Sequence, residues 1–249
     1  MASVAEGFVG SFTLGSGQFC TKPGLLLAPA GSNAAEHVAR ALEVASPRPL
    51  MLTERIAKSV NEDLAELQST GADLVAYVPA EGSGWAAPAA VLSAPIDALE
   101  PGSRLLEECF GAVALVCEYQ DGDQLARTIR HLQGALAGAV ITAGPEDPHG
   151  HTVHQLLEPK VGRVVVDAWP TGVAFNWAQQ HGGPWPSTCN PATTSVGAAG
   201  LDRFVRPVAY QGTPDHWLPA EAQEANPYGI PRRVDGQLVQ ASSAGSAER

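Results

Sequence analysis

The chain has 249 residues, 45% of them apolar, and a formal net charge of −11. It is long enough to bury one sizeable core, and length alone also allows two domains. The acidic balance speaks against nucleic acid and anionic membrane surfaces as partners, and no apolar run reaches the roughly 18 residues that span a bilayer.

The N-terminus lacks a basic stretch ahead of an apolar one, so no secretory signal is visible. The four cysteines at 20, 109, 117 and 189 show no paired spacing, which fits a reducing, cytoplasmic compartment.

In chain order, residues 4–14 read as a short helix packing Phe8, Phe12 and Leu14, ended by Gly15 and Gly17. Pro23-Gly24 turns the chain into the apolar run Leu25-Leu26-Leu27, suited to a buried strand. Between them Cys20 sits in a glycine-flanked loop, where a nucleophile can face a cleft; a small buried hydrophobe is the other reading.

Ser32 is placed to cap a helix over 34–44, and Thr53 caps another with Ile56, Val60, Leu64 and Leu67 along one face. Strands are expected over 72–78, 89–92 and 113–119, then a helix from Asp121 to Leu132. Further on, a strand over 139–142, a helix over 151–157 and a strand over 164–167 are expected. Residues 184–200, rich in proline, threonine and glycine, read as a long loop, and 204–210 as a strand. The tail is polar, with disorder expected over 241–249. This alternation of strands and helices predicts an α/β fold with a mostly parallel sheet covered by helices.

Three stretches carry a resemblance. Gly17-Gln18-Phe19-Cys20-Thr21 followed by Pro23-Gly24-Leu25 resembles the catalytic-cysteine signature of the aldehyde dehydrogenase superfamily. Leu106-Glu107-Glu108-Cys109-Phe110-Gly111-Ala112-Val113 resembles the second signature of the same superfamily, with Ala112 where proline is usual. Trp169-Pro-Thr-Gly-Val173, His181-Gly-Gly-Pro184, Thr194-Ser-Val-Gly197 and Arg203-Phe-Val-Arg-Pro-Val208 are similar to the branch that oxidises 2,5-dioxovalerate or long-chain fatty aldehydes. The likeness runs from about Phe8 to Leu238 and corresponds to the C-terminal half of such enzymes.

The resemblance implies an aldehyde dehydrogenase catalytic-domain fold without the N-terminal Rossmann-like cofactor domain. It implies oxidation of an aldehyde, best 2,5-dioxovalerate, to an acid with NAD(P)⁺ through a hemithioacetal and a thioester on Cys20. Glu108 would accept hydrogen bonds from the nicotinamide ribose, and Phe110 would pack near the nicotinamide ring. A solvated acidic turn is the plain alternative for Glu107-Glu108. In the family the base and an asparagine of the oxyanion hole lie upstream of this region, so the chain is expected to hold a nucleophile without its base, and to be inactive alone.

Trp169, Phe175 and Trp177 are candidates for a substrate-tunnel wall, with core packing under a loop as the alternative. His181 reads as part of a structural turn. The resemblance also implies a missing N-terminal half as partner and a homo-oligomer in the full-length form. The organisation expected is a catalytic domain over 1–181, a loop and strand over 182–212 suited to oligomer contact, and a tail over 213–249.

His149, His151 and His154 lack a fourth ligand and a helical i, i+4 pair, so no metal is expected. Two other functions compete: an inert remnant or associating subunit, and a cysteine hydrolase. The hydrolase needs a histidine–carboxylate pair beside Cys20, which the sequence does not place.

Overall fold

A computed structural model describes residues 1–240; the disorder expected over 241–249 lies outside the described residues. The chain divides into two compact units, Met1–Arg203 and Phe204–Arg249.

In the first unit, helix α1 (Ala2–Thr13) leads to strand β1 (Leu25–Pro29), helices α2 (Ala34–Ala45) and α3 (Glu54–Ser69), and strands β2 (Asp73–Val78), β3 (Ala89–Ser93) and β4 (Val113–Tyr119). The strands form one sheet in the order β1-β4-β3-β2. β4 runs parallel to β1 and β3, while β2 is an antiparallel edge, so the sheet is parallel-rich as expected.

The central strands are buried on both faces, which is why they read as unbroken apolar runs. Val113, Leu115 and Cys117 of β4, with Ala90 and Leu92 of β3, pack on Val60, Leu64 and Leu67 of α3. Ala114 and Val116, with Ala89 and Val91, pack on Phe8 and Phe12 of α1 and Val38 and Leu42 of α2. Successive strand residues point to opposite faces, so one run supplies both layers.

Local chemistry sets the helix starts. Thr53 accepts from Ile56 N at 3.3 Å and Asp121 from Gln124 N at 2.8 Å. Asn33 rather than Ser32 precedes α2; the Glu118 carboxylate of β4 accepts from Ala34 N at 2.8 Å and from Ser32 Oγ at 3.2 Å.

Helix α4 (Gly122–His131), strand β5 (Gly138–Val140), helix α5 (Pro148–Leu157) and strand β6 (Val164–Val166) follow. β5 and β6 pair in parallel, and Leu125, Ile129, Val140 and Leu157 form a smaller core cluster. After β6 the unit is loop until a 3₁₀ turn at Ala198–Phe204.

In the second unit, residues 205–211 carry no strand among the described residues, against the expectation for 204–210. Alternating apolar residues describe an extended segment, but a strand also needs a neighbour to take its backbone hydrogen bonds. The tail is more than polar coil: β7 (Arg232–Val234) and β8 (Gln237–Val239) make an antiparallel hairpin. Asp235 and Gly236 turn it, both at positive φ.

Candidate active site

Parallel pairing brings two distant segments to one end of the sheet. β1 and β4 are neighbours in register, Leu25 beside Leu115, and Leu115 N donates to Gly24 O at 2.9 Å. The residues just before each strand therefore sit at the same end, which places the Cys20 loop beside the Glu108–Ala112 loop.

Their backbones touch. Gly17 lies at φ +71, and a Cβ there would overlap the carbonyl of Gly111; only glycine meets both demands. Ser16, also at positive φ, is held by Leu50 N donating to its hydroxyl at 3.1 Å. The Gln18 amide ties the loop to the next segment, donating to Leu50 O at 3.2 Å and accepting from Leu52 N at 2.9 Å.

Cys20 occupies a turn closed by Lys22 N donating to Phe19 O at 3.0 Å, and its side chain is exposed. Cys109 and Cys117 are buried, and burial pushes both thiols up to about 12. Cys189 is exposed as well.

The partner of the Cys20 thiol is His181, with Sγ and Nε2 3.3 Å apart. From the sequence, His181 reads as a turn residue, and no partner for the Cys20 side chain is expected. The signal was in two motifs that fold onto each other. His181 N donates to Thr194 Oγ1 at 2.9 Å, and Ser195 N and Oγ both donate to His181 O at 3.1 Å. Thr194 is buried, and its hydroxyl in turn donates to Val196 O at 2.9 Å. The Thr194-Ser-Val-Gly197 segment is thus the seat of the histidine.

His181 is held below the usual imidazole range, first by burial and then by the Arg163 guanidinium. Arg163 is fixed by donating through Nη2 to Pro170 O at 2.5 Å and Gly172 O at 2.9 Å. A neutral imidazole beside a thiol can accept its proton. Among the described residues no carboxylate bonds the other ring nitrogen of His181.

The remaining candidates are spread out. Glu108 is exposed and Phe110 half-buried, on the loop beside the Cys20 turn. Glu107, not Glu108, reaches Arg104, at 3.7 Å. Trp169 is taken up by core packing, its ring 5.4 Å from that of Phe8 and its indole against Gly7 of α1. Phe175 and Trp177 are exposed.

His154 pairs with Glu158 at 3.1 Å, and among the described residues no group of three or more His, Cys, Asp or Glu could hold a metal ion. No helix among them is long and apolar enough to cross a membrane.

No protein-family profile matches the chain. It is 39% identical over 243 residues to alpha-ketoglutaric semialdehyde dehydrogenase 2 of Azospirillum brasilense, covering 94% of this chain and 45% of that protein. It is 34% identical over 242 residues to alpha-ketoglutaric semialdehyde dehydrogenase of Acinetobacter baylyi, covering 95% and 46%. The fold matches 1-pyrroline-5-carboxylate dehydrogenase from Thermus with bound NAD, at a TM-score of 0.60 and 22% identity over 74% of this chain and 36% of that one.

The chain therefore spans about half the length of the curated relatives it matches. By sequence, nearly its whole length is similar to one half of those two dehydrogenases, and its fold is that of the matching part of solved aldehyde dehydrogenases, among them an NAD-dependent one from Sinorhizobium meliloti at a TM-score of 0.56 and 18% identity over 69% of this chain and 35% of that one.

Proposed function

We propose that this chain is the nucleophile-bearing part of a dehydrogenase that oxidises an aldehyde to a carboxylic acid with NAD(P)⁺. The observation that carries the reading is the Cys20–His181 pair at 3.3 Å, at the end of the sheet where the loop with Glu108 and Phe110 also lies. The curated relatives, named for alpha-ketoglutaric semialdehyde, make 2,5-dioxovalerate the substrate of choice, with a long-chain fatty aldehyde as the alternative.

His181 takes the Cys20 proton as the thiolate attacks the aldehyde carbon, giving a hemithioacetal on Sγ. A bound nicotinamide supplies the acceptor for the hydride. Once the thioester has formed on Cys20, His181, neutral again after losing its proton to solvent, assists water in releasing the acid.

The residues fit a dinucleotide at its reactive end. Glu108 is exposed, so its carboxylate is open to a ribose diol, and the half-buried ring of Phe110 offers an apolar edge. These two contacts, worth about 1–3 kcal/mol each, do not offset the cost of immobilising a whole dinucleotide. The remaining contacts belong to a complementary segment of the kind the longer relatives contain, and the full-length form is read as a homo-oligomer.

A hydrolase reading gains the histidine but, among the described residues, lacks a carboxylate behind it; an arginine stands near His181 instead.

The test is formation of reduced nicotinamide from NAD⁺ or NADP⁺ and 2,5-dioxovalerate, by the chain alone and with the complementary half of the Azospirillum brasilense relative. Turnover only in the complemented mixture, lost in Cys20→Ser, is expected. Turnover that survives Cys20→Ser, or none in a mixture shown to associate, would overturn the reading.

A further inference from the structure

We propose that Lys22 is a positioning residue that fixes the distance between the Cys20 thiol and the loop bearing Glu108 and Phe110. The inference rests on the reading of Cys20 as nucleophile and of Glu108 and Phe110 as cofactor contacts.

The Lys22 ammonium donates to Cys109 O at 2.8 Å and to Val113 O at 3.0 Å, so it grips both ends of the stretch that contains Phe110, Gly111 and Ala112. The same residue closes the turn over Cys20 through its backbone N–H. One residue therefore belongs to the nucleophile turn by its main chain and to the opposing loop by its side chain. The contact of Gly17 with Gly111 fixes the other end of the junction.

Burial depresses the Lys22 pKa, while Glu108 and Asp63 oppose that shift. A charge held in such a place needs its acceptors, and both acceptors found are backbone carbonyls. A compact ammonium with three donors can serve two carbonyls from one point, which an apolar side chain of equal length cannot. The second loop carries alanine at 112, where the superfamily signature usually has a ring-stiffened proline, so the lysine supplies restraint from outside the loop.

The test compares the 249-residue chain with its Lys22→Met, Lys22→Gln and Lys22→Arg variants. Hydrogen exchange is read by mass spectrometry over residues 15–21, 107–113 and, as a distant reference, 138–166. The second-order rate of Cys20 alkylation by iodoacetamide is measured alongside.

In Lys22→Met, exchange should quicken about tenfold or more over 107–113 and 15–21 while 138–166 stays as it was. Cys20 alkylation should change by about threefold or more, and Lys22→Arg should restore part of both effects. A lysine with only a structural role would raise exchange in all three segments together and leave the alkylation rate of the folded protein alone. That result, or unchanged exchange over 107–113, overturns the proposal.

If Lys22→Met does not fold, Lys22→Gln decides: local quickening supports the proposal, and behaviour equal to the parent overturns it. The nucleophile reading fails separately, through parent Cys20 alkylation that ignores the loss of His181.

Discussion

Cys20 and His181 reach the site by different physical routes. The cysteine lies on a turn directly ahead of β1, and β1 is locked by parallel pairing to β4 in a sheet buried on both faces. The histidine lies in a long loop that follows β6 and is held by polar contacts, chiefly from Thr194 and Ser195, instead of a hydrophobic layer. One member of the pair is thus set by hydrophobic packing and the other by a few side-chain-to-backbone hydrogen bonds. The first arrangement spreads its free energy over many small contacts; the second concentrates it in bonds worth about 1 kcal/mol each.

The largest expected effect removes the chemistry without touching either scaffold. Cys20→Ser should lower turnover of the complemented enzyme by about four orders of magnitude, since no other exposed thiol is paired with an imidazole among the described residues. His181→Ala should cost about two to three orders of magnitude in turnover, with circular dichroism unchanged.

On the packed side, Gly17→Ala should destabilise the fold by about 2–4 kcal/mol in urea unfolding, through overlap with Gly111 and a positive φ. On the loop side, Thr194→Val should cost only about 1–2 kcal/mol, because it breaks the polar seat of His181 without opening the core. It should nonetheless slow Cys20 alkylation several-fold. A Thr194→Val loss larger than that of Gly17→Ala would break the distinction between the two routes.

The same difference explains what the sequence could show. The packed region was legible because its signals are periodic or local. The Val60, Leu64 and Leu67 face, the Thr53 and Asp121 helix starts, and the apolar run within 113–119 each announce an element before any partner is known. The meeting of the Cys20 loop with the Glu108–Ala112 loop is accessible only through the resemblance, because it arises from strand order, which a linear pattern does not encode.

The His181 contact was hidden for a different reason. A histidine in a glycine-rich loop has no periodicity, and its seat lies 13 residues away in a threonine. Trp169 admits two readings from sequence, a tunnel wall or core packing under a loop, and its ring lies 5.4 Å from that of Phe8. The strand expected over 204–210 had the right alternation, but among the described residues it finds no partner to complete a ladder.

The central claim is that a neutral His181 serves as the base for Cys20, and the pH dependence of Cys20 alkylation tests it most directly. Burial and Arg163 lower the His181 pKa, so the folded protein resists protonating it. The neutral, competent form should therefore be fully present above the ordinary histidine value of about 6.5 and persist somewhat below it. Activity toward iodoacetamide should fall only on further acidification.

The stability that comes from keeping His181 neutral follows the same sign, full above about pH 6.5 and fading as pH drops. The account predicts an acidic inflection below pH 6.5 in the parent chain that disappears in His181→Ala, leaving only the rise of an ordinary thiol. A parent profile with that single rise, unchanged by His181→Ala, would contradict it.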